Sequence, residues 1–157
     1  MMATPILIMW LLAIALILHV FEEVWVSEYK KGQVTWGTVI LNYAPIVENI
    51  PIFIFAIVLA VIGWRSPMIS GILLSVCLTH PLLDHVGLSI KTQSIRAGSL
   101  TAIFLMLPLS IWAYAVGYNN ALFQAPALVI SGMTGLGISI WLFWEVEKEL
   151  QQKSRSS

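Results

Sequence analysis

The chain has 157 residues, of which 59% are hydrophobic and 10% charged, against about 45–50% and about 25% in an ordinary soluble domain. Its eight basic and eight acidic residues cancel, and its mean hydropathy is +0.88. These values exclude a disordered chain and a nucleic-acid-binding protein, and a lone cysteine, Cys77, excludes a disulfide-stabilised secreted scaffold. The composition therefore indicates an all-α integral membrane protein.

Five apolar stretches are long enough to cross a bilayer as helices, each of which needs roughly 20 residues. They cover about residues 5–25, 38–63, 68–90, 98–116 and 122–144, and predict a five-helix transmembrane bundle over residues 1–144. Residues 145–157 form a polar tail that we expect to fray. The stretches are too long for membrane strands and lack a period of two.

The Lys and Arg residues between the spans predict the orientation of the bundle. One side of the membrane holds only Arg65. The other side holds Lys30, Lys31, Lys91, Arg96, Lys148, Lys153 and Arg155. We therefore expect an external N-terminus and a cytoplasmic tail, in a plasma membrane of the bacterial inner-membrane type.

Seven ionisable residues lie inside the predicted spans, at an insertion cost of about 2.5–3.5 kcal/mol each for charged side chains. They are His19, Glu22 and Glu23 in the first span, Glu48 in the second, and His80, Asp84 and His85 in the third. With the predicted orientation, all of them fall in the cytoplasmic half of the bilayer. Three helices should therefore bring imidazoles and carboxylates to one layer.

Helical spacing groups these residues further. His19 shares a helix face with Glu22 and Glu23, at i,i+3 and i,i+4, and His80 shares one with Asp84. In an α-helix, His85 lies well round from His80. Three prolines inside spans, Pro51, Pro81 and Pro108, each remove a helical hydrogen bond, and we expect kinks there. The small residues of the run 131–137 predict a close helix-packing face.

These residue types favour a metal site. Two histidines with four carboxylates form the ligand set of ferritin-like di-iron proteins, and mixed imidazole and carboxylate ligands also suit a single zinc or iron. A cation would neutralise up to four buried carboxylates, for which protonation is the alternative. All seven residues are candidate ligands of iron or zinc, and Glu22, Glu23 and Asp84 are candidate catalytic groups.

Two function classes follow from this inventory. One is a membrane-embedded enzyme that uses a metal or a Glu/His acid–base pair on a lipid-like or isoprenoid substrate. The other is a proton or ion conduit with the same residues as a relay. A haem held by His19 and His80 is a third hypothesis, which the nearby acids disfavour. A purely structural ion network would contribute little net stability. The expected partners are the bilayer and a hydrophobic small molecule.

The arrangement of motifs resembles the HXXEE-motif family of small integral membrane proteins, over about the first 110 residues. The motifs are His19-Val20-Phe21-Glu22-Glu23, then Glu48, then the block from His80 to His85, and Ser89 and the run 97–102 before Pro108. Where the family pattern has a Pro-Gly pair, this chain has Ala97-Gly98. The function of the family is uncharacterised, so the resemblance implies candidate site residues but no reaction.

Overall fold

The structure is a computed structural model that describes residues 3–30 and 47–156. Five helices account for most of these residues, and no strand occurs among them. The helices are α1 (Ala3–Lys30), α2 (Ile50–Ile62), α3 (Pro67–Thr92), α4 (Ser99–Asn119) and α5 (Ala125–Ser156). The predicted all-α class is confirmed for this part of the chain. Four of the helices, α1, α3, α4 and α5, are long and apolar enough to cross a membrane.

The second predicted span is only partly described, because residues 38–46 lie outside the described ranges. With the tight turn that follows it, α2 covers Ile50–Arg65 and is shorter than the four long helices. Pro51 lies in the first turn of α2, where a missing N–H removes no intrahelical hydrogen bond. Residues 47 and 48 are also helical and Asn49 forms a turn, so the helix is interrupted just before Pro51.

The polar tail is helical rather than frayed, because α5 continues to Ser156. Extending an existing helix needs no new nucleus, so each added residue forms a hydrogen bond at little extra entropic cost. An ion pair joins Lys91 at the end of α3 to Glu147, and Lys148 Nζ lies 3.2 Å from Glu145 Oε1. The first contact holds the polar part of α5 beside the end of α3, and the second is an i,i+3 pair within α5.

Contacts between helix ends show that the helices alternate in direction. At one end of the bundle, Trp64 Nε1 after α2 donates to the carbonyl of Pro5 in α1 over 2.7 Å. At the other end, Glu22 near the end of α1 contacts Thr101 at the start of α4. The basic segment after α3 and the tail meet at this second end, as the predicted orientation requires. The sidedness itself stays a prediction.

Helices α3 and α5 pack closely along a face of small residues. A Cβ atom at Gly71 would lie 2.7 Å from Ser131 Oγ, and one at Gly135 would collide with Ser75. Ser75 Oγ donates to the carbonyl of Gly132 over 3.0 Å. The predicted packing face in residues 131–137 is thus observed, and small residues there allow the two backbones to approach.

Apolar side chains fill the interior of the bundle and also cover much of its outside. Fully buried members of the core include Ile8, Met9, Leu12, Leu73, Leu74 and Met106. Exposed large apolar residues include Ile54, Val61, Phe104, Met133 and Trp141. An apolar exterior on this scale is unusual for a soluble monomer and suits contact with lipid.

Candidate metal centre

Helix α1 contributes two members of a buried polar cluster, one turn apart. His19 is 1% exposed, whereas the Glu23 side chain is 33% exposed. His19 Nε2 lies 3.7 Å from Glu23 Oε2. The i,i+4 spacing of the motif therefore places an imidazole and a carboxylate side by side, as the sequence predicts.

Helix α3 contributes His80 and His85, because the helix widens between them. Residues Pro81–Gly87 form a π-helical segment. In a regular α-helix two residues five apart point about 140° away from each other. The wider i→i+5 turn brings them together, so that the two ring centroids lie 5.2 Å apart. Pro81 opens this segment, where its missing N–H cannot bond to the carbonyl four residues earlier.

The three imidazoles converge through their Nε2 atoms. His19 Nε2 lies 3.3 Å from His80 Nε2 and 3.2 Å from His85 Nε2. Metal–nitrogen bonds of about 2.0–2.1 Å in a tetrahedral site give ligand–ligand separations of about 3.3–3.4 Å. The spacing of the imidazole nitrogens thus fits one cation bound between them.

The carboxylate of Glu23 completes a group of four. Its Oε1 lies 3.7 Å from His85 Nε2, and one ligand atom from each of His19, Glu23, His80 and His85 lies within 4.8 Å of the others. We call these four residues the His₃Glu cluster. The three histidines are buried and the carboxylate is partly open, so Glu23 lies on the accessible side of the cluster.

The partner of His19 Nδ1 determines which nitrogen can bind a cation. Nδ1 lies 3.1 Å from the carbonyl oxygen of Gly98, and a carbonyl only accepts hydrogen bonds. The proton is therefore on Nδ1, which leaves the lone pair of Nε2 directed into the cluster. His85 Nδ1 lies 3.4 Å from Ser99 Oγ, whereas the buried His80 Nδ1 has no hydrogen-bond partner within the described ranges.

Asp84 lies beside the His₃Glu cluster but outside it. Its buried carboxylate lies 3.2 Å from Arg96 Nε through Oδ1 and 3.6 Å from His85 Nε2 through Oδ2. The guanidinium of Arg96 thus compensates a carboxylate that would otherwise be buried without a counter-ion. The sequence predicted Asp84 to share a face with His80, and the π-helical segment brings His85 to that position instead.

Glu22 has a different set of partners from its neighbour Glu23. It accepts hydrogen bonds from the backbone N–H of Leu100 (3.2 Å) and of Thr101 (2.7 Å), and from Thr101 Oγ1 (2.6 Å). A carboxylate at this place satisfies N–H groups that the first turn of α4 leaves unpaired, and it is stabilised by the helix dipole. Glu22 is therefore not among the four clustered residues.

Glu48 is the predicted ligand that the structure leaves apart. It lies just before α2 and its side chain is exposed. It is not one of the four residues whose ligand atoms converge. Of the seven predicted residues, four are brought together in the cluster. Asp84 contacts His85, Glu22 contacts Leu100 and Thr101, and Glu48 remains at the surface.

Gly98 is a site residue that residue-by-residue reasoning did not select. Its φ is +81°, and a Cβ atom there would lie 2.7 Å from His19 Cε1 and would collide with Glu23. Only glycine accepts both this backbone conformation and this close approach. Arg96, Ser99 and Thr101 lie in the same stretch and were also not selected. The run 97–102, in which every residue except Leu100 is small, was the available signal.

The residue types and spacing in the cluster narrow the choice of cofactor among a di-iron site, a haem and a single cation. Di-iron sites of the ferritin type use two histidines and four carboxylates, whereas three imidazoles and one carboxylate converge in this chain. A haem between His19 and His80 does not fit, because their ring centroids are 5.3 Å apart and their Nε2 atoms nearly touch. The geometry favours a single cation.

Charge also matches a divalent cation. Ionised Asp84 is paired with Arg96, whereas Glu22 and Glu23, when ionised, carry two further negative charges. These two carboxylates lie beside three buried imidazoles. Because an uncompensated buried charge is costly, a bound divalent cation would balance the site.

None of the curated proteins and none of the solved structures matches this chain. A sequence profile of the family described as "Protein of unknown function with HXXEE motif" matches residues 10–113. This range contains the whole His₃Glu cluster, together with Glu22, Asp84 and Gly98. The match covers about two thirds of the chain, and the chain therefore belongs to the family of proteins of unknown function with an HXXEE motif.

Proposed function

We propose that this chain is a membrane-embedded metal-dependent enzyme that acts on a lipid-like or isoprenoid substrate. The observation that carries the proposal is the convergence of three imidazole Nε2 atoms with one carboxylate in the His₃Glu cluster. The cation is a single zinc or iron, since both accept mixed imidazole and carboxylate ligands. The Lys and Arg distribution supports a bacterial-type plasma membrane with the tail in the cytoplasm.

The hydrogen-bonding capacity of the three imidazoles supports a bound cation rather than a cluster without one. His19 Nε2 carries a lone pair, and two further Nε2 atoms approach it within 3.3 Å. One lone pair cannot accept well from two donors at once, whereas one cation accepts all three nitrogens as ligands. The cation also removes the excess negative charge of the neighbouring carboxylates.

In this arrangement the three histidines would bind the cation, and Glu23 lies where it could contact a substrate. Three histidine ligands leave a fourth position, which is typical of catalytic zinc sites rather than structural ones. When bound, a divalent cation supplies a Lewis acid that polarises a carbonyl or phosphoryl oxygen. Glu23 lies on the accessible side, 3.7 Å from two of the imidazoles. Its carboxylate can therefore complete the ligand set or accept a proton from an incoming group.

Exposed apolar residues adjacent in sequence to the site residues support an apolar substrate. Phe21 precedes the two glutamates of the motif, Leu82 lies between His80 and Asp84, and Leu100 lies beside Thr101; all three are exposed. We infer that a substrate dissolved in the bilayer reaches Glu23, the partly exposed member of the cluster, from this apolar exterior. Its polar group would then lie at the cluster while its chain stayed among apolar contacts.

A proton conduit is the second candidate, because the imidazole–imidazole distances of 3.2–3.3 Å are also hydrogen-bond distances. In this function a proton passes between His19, His80 and His85 and no cation is resident. Metal content separates the two candidates directly.

The test is the metal stoichiometry of the purified full-length protein in detergent, measured by mass spectrometry for zinc and iron. We expect about one metal ion per chain, as a single three-imidazole site requires. Glu23→Gln should reduce the content sharply, because an amide is a poorer ligand than a carboxylate. Glu48→Gln is the matched control: it removes a carboxylate that is exposed and outside the cluster.

Two results would contradict the proposal. Metal-free wild-type protein that stays metal-free after incubation with Zn²⁺ and Fe²⁺ would exclude the metalloenzyme and favour the conduit. Equal metal content in Glu23→Gln and Glu48→Gln would remove Glu23 from the ligand set. Loss of metal in His80→Gln, with retained helical circular dichroism, would support the three-imidazole site.

A further inference from the structure

We infer that Glu22 and Thr101 form a positioning pair that holds His19 in the orientation and tautomer a metal ligand needs. Within the HxxEE string, His19 and Glu23 would then bind the cation, and Glu22 would act through Thr101. This inference rests on the metal site of the proposed function and assigns a separate task to each member of the motif.

The hydroxyl of Thr101 links the two α1 side chains. Thr101 Oγ1 lies 2.6 Å from Glu22 Oε2 and 3.1 Å from His19 Nδ1. An ionised carboxylate only accepts, so the hydroxyl donates to Glu22 and its oxygen accepts from His19 Nδ1–H. The hydroxyl proton also faces the Gly98 carbonyl at 3.2 Å, but the shorter contact to a charged acceptor favours Glu22, so the hydrogen bonds run from imidazole to hydroxyl to carboxylate.

The carbonyl of Gly98 enforces the same tautomer. It lies 3.1 Å from His19 Nδ1 and can only accept. Both partners of Nδ1 thus require its proton, which leaves Nε2 unprotonated and directed toward His80 and His85. Metal-binding histidines generally make such a bond with their second nitrogen, and losing it typically costs 10–100-fold in metal affinity or activity.

Glu22 anchors this arrangement to the backbone of α4. Besides the hydroxyl, it accepts the N–H groups of Leu100 and Thr101. These bonds fix the first turn of α4 against α1, and so determine where the Thr101 hydroxyl lies relative to His19. Because His19 and Glu22 are three residues apart, they share a face of α1, and the Thr101 hydroxyl contacts both side chains.

A helix cap alone is the competing explanation for Glu22. A cap would affect the stability of α4 but not the cation. The metal affinity of folded variants is therefore the decisive measurement, and Thr101 provides the variants. Thr101→Val keeps the shape of the side chain without the hydroxyl, and Thr101→Ser keeps the hydroxyl without the methyl group.

The experiment measures the Zn²⁺ affinity of metal-free, full-length protein in detergent by competition with a chromophoric chelator. We expect Thr101→Val to weaken binding by about 10–100-fold and Thr101→Ser to bind like the wild type. Glu22→Gln should weaken binding too. The double variant Glu22→Gln/Thr101→Val should be little worse than Thr101→Val, because both changes break one chain of contacts.

Three results would overturn the inference. They are wild-type affinity in Thr101→Val, no rescue by Thr101→Ser, and fully additive losses in the double variant. Thermal stability measured on the same samples keeps a folding defect apart from a ligand effect. If neither the wild type nor any variant binds Zn²⁺, the proposed metal site itself is wrong. This result is distinguishable from the three results above, because in each of those the wild type binds Zn²⁺.

A second measurement does not need the metal. The chain has three histidines, so ¹⁵N NMR of histidine-labelled, metal-free protein gives three imidazole signals that His→Gln variants assign. We expect His19 protonated at Nδ1 in the wild type. A proton on Nε2 instead would overturn the inference whatever the metal result.

Discussion

Replacing Gly98 by alanine tests whether the turn before α4 shapes the His₃Glu cluster. Gly98 has a φ of +81° and packs directly against the two α1 ligands. A new Cβ atom would lie 2.7 Å from His19 Cε1 and 3.1 Å from His19 Nδ1, and closer still to Glu23. The substitution therefore acts on an imidazole and on a carboxylate of the same site.

Two costs add for this substitution. An alanine in the left-handed region is less stable than glycine by roughly 1–2 kcal/mol. Inserting a methyl group into a packed site adds about 1–3 kcal/mol. We therefore expect the free energy of unfolding to fall by roughly 2–5 kcal/mol. The second cost arises where the ligands are, so the affinity for Zn²⁺ should fall as well.

Gly63→Ala is the matched control. Gly63 also has a positive φ, +50°, but a Cβ atom there would meet nothing within 4 Å. It should lose about 1–3 kcal/mol from backbone strain alone and keep the Zn²⁺ affinity of the wild type. Thermal unfolding and chelator competition on both variants provide the comparison. Wild-type Zn²⁺ affinity in folded Gly98→Ala would refute the argument that this glycine shapes the site.

Two further predictions concern the bundle. Gly135→Val should lower the free energy of unfolding by about 1–3 kcal/mol through overpacking, because a side chain there collides with Ser75 on α3. Gly137→Val is the control, since a side chain at this open position should change thermal unfolding little. Equal effects of the two substitutions would contradict the close α3–α5 packing. A reporter fused after Ser157 should be cytoplasmic, and one inserted between Asn119 and Asn120 should be external. The reverse pattern would refute the orientation inferred from Lys and Arg.

The helical, membrane-type architecture could be predicted because it depends on composition and on local patterns. Long apolar runs indicate spans wherever they pack, and four helices of suitable length and composition follow them. The pairing of His19 with Glu23 could also be predicted. It needs only the i,i+4 spacing of one regular helix, and the structure keeps that spacing.

The role of α3 depended on a departure from regular helix geometry. A period of 3.6 residues puts Asp84 beside His80 and turns His85 away. The π-helical segment after Pro81 reverses this, and the segment is visible only in the backbone. Proline marked the place, but a proline in a helix can produce a kink, a break or a wider turn.

Long-range contacts decided the rest of the site. Gly98 and Thr101 contact His19 from positions distant in sequence, and Arg96 contacts Asp84 beside the cluster. Their importance comes from a close approach that no local pattern encodes. Glu48, in contrast, was predicted to join the site but does not. Its depth along the predicted span could not show that its side chain is exposed. The sequence by itself determined which chemical groups the membrane helices carry. The tertiary structure decided which of them meet, because packing and backbone irregularity set the directions of side chains on different helices.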